Sequence, residues 1–280
     1  MTSDTSKREW KISPSSFQKG YNFDFAPKDI IGFVLKRRCR NGGFGIAPGV
    51  PPSIQDTYFA LNILDIFWQT SKDEFNYSPS LDKELKEYLG NYRLEKGKTS
   101  LKLLFYYLVS CSIAGIELRS LNEHILSLQD NTLNLEDKFY AKRILKEYYT
   151  YDMETKPQKI KRWRTVKELR MLLYINDGTA GEIDKRYAIK WINACQNPDG
   201  GFGFLPNSTS FIENTYFSLH SFSLLNEFPR HPERILNFIL SCYTGKGAFS
   251  RKRGGTSFLD ATYYAIKCLP LITDLTQKYT

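Results

Sequence analysis

Two carboxylates, Glu213 and Asp260, stand 47 residues apart, and each precedes a threonine by two positions (Thr215 and Thr262). Facing an apolar cavity, such a pair would serve as proton donors. At the starts of helices their plainer role is to stabilise the first turn, by roughly 0.3–1 kcal/mol each. Ahead of Asp260 runs Ser250-Arg251-Lys252-Arg253-Gly254-Gly255. Arginine offers paired donors to phosphate oxygens, lysine adds a compact charge, and glycines let the backbone turn its N–H groups toward an anion. This loop suits a diphosphate, with a solvated surface loop as the alternative. Arg170 falls at helical spacing with Trp163, Val166 and Leu173, at the end of a solvated basic run that begins at Lys156. Tyr58, Tyr216 and Tyr263 each follow a threonine and suit either core packing or the wall of a cavity. Three histidines (His124, His220, His231) and five scattered cysteines offer no ligand spacing. No zinc is therefore expected, and magnesium is left open.

These residues need elements to position them. A helical pattern through Tyr187, Ile189, Trp191 and Ile192 stops at Asn197-Pro198-Asp199-Gly200-Gly201, and a second apolar helix starts near Ile212. The unit is helix, glycine-aromatic turn, loop, helix, and it recurs. Gly42-Gly43-Phe44 precedes Thr57-Tyr58, and Gly247-Ala248-Phe249 precedes Thr262-Tyr263. The step from the middle turn residue to the threonine is 14 in every copy: Gly43 to Thr57, Gly201 to Thr215, Ala248 to Thr262. Steps of 47 residues, the distance from Thr215 to Thr262, carry Thr57 forward to Leu104 and Thr215 back to Glu168, both in helical stretches. Two degenerate repeats are thus expected in the middle, giving about five hairpins in an all-α chain. The first three pair residues 29–38 with 53–68, 81–92 with 99–116, and 135–149 with 159–175. One hairpin cannot bury both its faces, so the hairpins must stack. The apolar second helices are expected to face inward and the first helices to form the outer layer.

A chain of 280 residues with 41% hydrophobic content can bury a large core. We read 1–28 as an N-terminal arm, packed over the first hairpin by aromatics such as Phe23 and Phe25, and 29–280 as one domain. The longest apolar stretch, 103–116, is too short to span a bilayer, and it contains Ser110 and Ser112. A polar N-terminus without a signal-peptide pattern and an odd cysteine count predict a cytoplasmic protein. The net charge of +9 permits binding of nucleic acid or an anionic membrane; no nucleic-acid motif is present, no nucleic acid is expected to bind, and a diphosphate ligand accounts for the clustered arginines as well.

Gly42-Gly43-Phe44-Gly45 with Thr57-Tyr58, and Cys195-Gln196 through Gly200-Gly201-Phe202-Gly203 to Thr215-Tyr216, resemble the repeats of protein prenyltransferase β subunits. More distantly they resemble those of squalene–hopene-type terpene cyclases. The resemblance covers about residues 29–270. It implies an α/α toroid whose inner helices surround an aromatic-lined cavity for an isoprenoid or isoprenoid diphosphate, and a possible helical-repeat partner subunit. Three functions follow from it: binding or transforming that ligand, a non-catalytic lipid- or protein-binding role, or a class II-type cyclase with Asp260 or Glu213 as acid. The prenyltransferases hold zinc with an Asp and a Cys two residues apart and a later His. Here Thr262 follows Asp260 at the Cys position, no histidine comes later, and Phe211 stands where the family has a diphosphate-contacting His. Arg251, Lys252 and Arg253 stand where the family places basic residues, and Arg170 resembles an arginine it carries on an inner helix.

Overall fold

The computed structural model describes residues 25–70, 77–95, 99–117, 133–148, 162–177 and 184–277. Among them lie ten α-helices. In chain order these are α1 (Pro27–Leu35), α2 (Ile54–Thr70), α3 (Lys83–Asn91), α4 (Leu101–Ile113), α5 (Leu135–Tyr148), α6 (Val166–Ile175), α7 (Lys185–Ala194), α8 (Ile212–Leu225), α9 (Pro232–Ser241) and α10 (Leu259–Gln277). The described residues form no strand, only isolated bridges at the turns. Helices α2, α4, α5, α6, α8 and α10 each pack on the next, and α10 packs back on α2, so the inner layer is a closed ring. Helices α1, α3, α7 and α9 lie outside, each on the inner helix that follows it.

Three expectations change. Helix α5, expected in the outer layer, is an inner helix between α4 and α6. It is the first helix of its hairpin, yet its Lys142 and Arg143 are buried with partners. Lys142 Nζ donates to the Ile175 carbonyl (2.7 Å) and to Asp177 (2.6 Å), and Arg143 pairs with Glu147 at 3.1 Å. The helix expected from 159 begins at Val166, where Thr165 accepts from the Glu168 N–H as N-cap. Helix α10 runs through Pro270 to Gln277; the proline only leaves the Ile266 carbonyl without its intrahelical donor. Most of the N-terminal arm lies outside the described residues. Phe25 packs on Tyr243 and Phe249 of the last turn, with ring centroids 5.4 and 5.5 Å away, and not on the first hairpin alone.

The turns explain the constant 14-residue step. Each turn phenylalanine donates its N–H to the threonine of the following inner helix: Phe44 to Thr57 (3.0 Å), Phe202 to Thr215 (3.1 Å) and Phe249 to Thr262 (3.1 Å). All three threonines are fully buried, so each hydroxyl satisfies a donor that water cannot reach. Gly42, Gly200 and Gly247 have positive φ, and a Cβ there would strike the backbone of Glu84 in α3, Arg234 in α9 and Asp29 in α1. Each turn therefore abuts an outer helix, and the last turn meets the first helix.

Candidate functional site

The six inner helices run in register, so equal positions along them form layers across the ring axis. At the second position stand Gln55, Lys102, Glu136, Lys167, Glu213 and Asp260, a charged layer at the N-terminal mouth. At the fifth and sixth positions stand Tyr58-Phe59, Phe105-Tyr106, Phe139-Tyr140, Arg170-Met171, Tyr216-Phe217 and Tyr263-Tyr264. This second layer is aromatic on every helix except α6, which places an arginine in it. At the ninth position come Asn62, Val109, Arg143, Tyr174, His220 and Lys267, a polar and basic layer one turn deeper.

The aromatic layer fills the ring. Tyr58 stacks on Tyr106 with centroids 4.2 Å apart, and its hydroxyl lies 3.1 Å from that of Tyr263. Free space among these side chains amounts to about 30 Å³, whereas ligand pockets commonly enclose roughly 300–1,000 Å³. Burial pushes the Tyr58 phenol up to about 12, so it stays neutral. Beneath it, Arg143 lies 3.8 Å above the centre of the Phe105 ring. Lys267 is lowered to about 8, by burial first and by Arg143 second. His220 lies well below its usual range, through burial and the charges of Arg170, Arg143 and Lys267.

Arg170 differs from its basic neighbours. Arg143 has Glu147, and Lys167 has Glu136 at 2.7 Å. Arg170 is only 6% exposed, faces the rings of Phe139 (4.7 Å), Phe217 (4.5 Å) and Tyr216 (5.7 Å), and pairs with no carboxylate among the described residues. Its Nε has no hydrogen-bond partner among the described residues. A buried guanidinium donor without an acceptor is costly, so this position carries a cost that the other five ring positions avoid.

The other residues singled out from sequence divide into two groups. Tyr58, Tyr216 and Tyr263 join Arg170 in the ring wall. Glu213 and Asp260 occupy equivalent second positions on α8 and α10 and share a hollow of about 250 Å³ at the rim, lined also by Phe211, Arg251 and Tyr264. Arg251 lies 2.7 Å from Asp260. Lys252 and Arg253 are exposed on a tight turn in which the Gly255 N–H returns to the Lys252 carbonyl at 3.0 Å. The basic loop is thus a rim element, and it contributes no residue to the ring wall. Asp260 and Thr262 do not fit a zinc site. The carboxylate is held by Arg251, while Thr262 Oγ1 donates to Phe258 O (2.8 Å) and accepts from Phe249 N. No cluster of three metal-ligating side chains exists among the described residues. Residue types alone did not reveal Lys102, Arg143, Lys167, Lys267 or the aromatics of α4 and α5. The signal that finds them is their register within the six helices.

No helix among the described residues is long and apolar enough to cross a membrane. No curated protein matches the chain significantly. The family model described as prenyltransferase alpha-alpha toroid domain matches residues 21–134 and 140–279. With its closed ring of inner helices and its glycine-aromatic turns, the chain belongs to the prenyltransferase alpha-alpha toroid domain family.

Proposed function

We propose that the chain binds a phosphate-bearing, isoprenoid-type ligand at the N-terminal mouth of the ring, and that it does so without zinc. The observation that carries this reading is Arg170, buried in an otherwise aromatic layer with an Nε unsatisfied and no carboxylate partner among the described residues. An anionic head group would supply the missing acceptor, and Lys102 at the mouth adds charge of the same sign, Lys167 being paired with Glu136. The aromatic rings below would meet the first carbons of the ligand chain. A second reading, a non-catalytic member that engages a protein partner, draws support from the ring being filled by its own side chains. Asp260 is committed to Arg251, which weakens the acid-catalysis reading.

Calorimetric titration with geranylgeranyl diphosphate, geranylgeraniol and inorganic pyrophosphate tests the proposal. The diphosphate is expected to bind and the alcohol to bind far more weakly. Arg170→Met should weaken diphosphate binding by roughly tenfold to hundredfold, as expected for loss of a charge-assisted hydrogen bond. If diphosphate and alcohol bind alike, or neither binds, the partner-binding reading replaces this one.

A further inference from the structure

The rim around the mouth carries an arrangement that the ring site does not use. Of the exposed large apolar side chains, four lie on two rim loops: Ile46 (45%) and Val50 (38%) before α2, and Phe204 (45%) and Leu205 (36%) before α8. The repeat register makes Ile46, Phe204 and Arg251 equivalent, each two residues beyond its turn phenylalanine. Helices α8, α10 and α2 are consecutive in the ring, so the basic loop 251–253 sits between the two apolar loops. These loops lie over the inner-helix starts. The Phe204 carbonyl accepts from Val166 N at the start of α6, and the Arg251 carbonyl from Ile212 N at the start of α8, both at 2.9 Å. Arg162 and Arg164 are also exposed beside the α6 start. Asp260 neutralises Arg251, which leaves Lys252 and Arg253 as the exposed charges between the apolar tips.

Apolar tips alternating with cations match the chemistry of an anionic membrane surface. The tips enter the headgroup region and the cations meet lipid phosphates. A polar protein partner would not require four bare aliphatic and aromatic tips, and a purely apolar one would not require the cations between them. The overall excess of 39 Lys and Arg over 30 Asp and Glu gives a long-range attraction of the same sign. We propose that this rim docks on an anionic lipid surface, with Ile46, Val50, Phe204 and Leu205 in the interface and Lys252 and Arg253 at the phosphates. The mouth of the ring then faces the bilayer.

Flotation of the full chain with phosphatidylcholine vesicles, with and without phosphatidylserine, tests this. Binding is expected only with phosphatidylserine and should weaken as salt is added. Lys252→Glu/Arg253→Glu should lower partitioning by roughly tenfold or more, at about 1 kcal/mol per surface cation. Ile46→Ser/Phe204→Ser/Leu205→Ser should lower it similarly, with thermal melts confirming that both variants fold. Arg170→Met should float like the wild type, which separates this surface from the ring ligand. Absence of flotation, or flotation that neither rim variant reduces, overturns the proposal. So does concentration-dependent self-association that the apolar-tip variant abolishes, which would assign the tips to a second copy of the chain.

Discussion

The ring has two unlike arcs. In one, α7 to α10 and then α1 and α2, every inner helix follows a glycine-aromatic turn and carries a buried threonine at its fourth position. In the other, α4 to α6, that position holds Leu104, Lys138 and Leu169, and the sequence ahead of it has no glycine-aromatic pair. The charges divide the opposite way. The cations that line the ring wall, Lys102, Arg143, Lys167 and Arg170, all come from α4 to α6, while the turn-bearing helices line it with tyrosine, phenylalanine and Glu213. One arc carries the devices that hold the shape and the other carries the cations of the wall; Lys267 of α10 lies outside that lining. The repeat signature therefore reports closure of the ring and is silent about its chemistry.

This comparison can be broken at its strongest point by Gly200→Ala. The added Cβ would lie 2.0 Å from the Arg234 carbonyl oxygen, at a φ of +91°. We expect a loss of about 3 kcal/mol or more in urea unfolding. Gly115, in the other arc, also has positive φ, but the nearest atom to its added Cβ is 3.7 Å away, so Gly115→Ala should cost only about 1 kcal/mol. Equal costs would remove the structural half of the contrast.

The deep basic layer gives the next effect. Native Lys267 loses its proton near pH 8, whereas the unfolded chain holds it to about 10.5. Between those values the unfolded state binds more protons, so stability rises with pH. The rise should amount to about 2 kcal/mol between pH 8 and 10, and Lys267→Met should flatten it. Above pH 10 the unfolded tyrosines ionise while Tyr58, held up to about 12, does not, and stability falls again. The smallest effect sharpens the contrast through its sign. Arg170→Met should raise stability by about 1 kcal/mol, because it removes a buried charge that lacks an ion-pair partner among the described residues. A loss of stability instead would make Arg170 a structural residue like those of the turn-bearing arc.

The legible part of the sequence was the part under local constraint. A glycine forced to positive φ and a threonine bonded to a turn N–H must recur at fixed spacing, so three repeats are countable in the sequence. The 47-residue step carried Thr57 to Leu104, the fourth residue of α4 and its true structural equivalent. The backward step reached Glu168, one residue short of Leu169. Helix α5 escaped because Lys142 and Arg143 look like surface residues, and only contacts with α4 and the end of α6 bury them. Arg170 was named from its spacing, but its isolation among aromatic rings depends on five other helices. The basic loop was named from composition, while its pairing with Asp260 across the start of α10 depends on the turn geometry.

Gly247 against Asp29, Phe25 against Phe249, and α10 against α2 join the last repeat to the first. A linear stack of hairpins can fray from either end and lose one unit at a time. A stack joined to itself has no free end, so opening one seam exposes two apolar faces and loosens both neighbours. Unfolding should therefore be all-or-none across the ring. Folding, in turn, must complete a contact between residues more than 200 positions apart, so the seam is the step with the greatest loop-closure entropy.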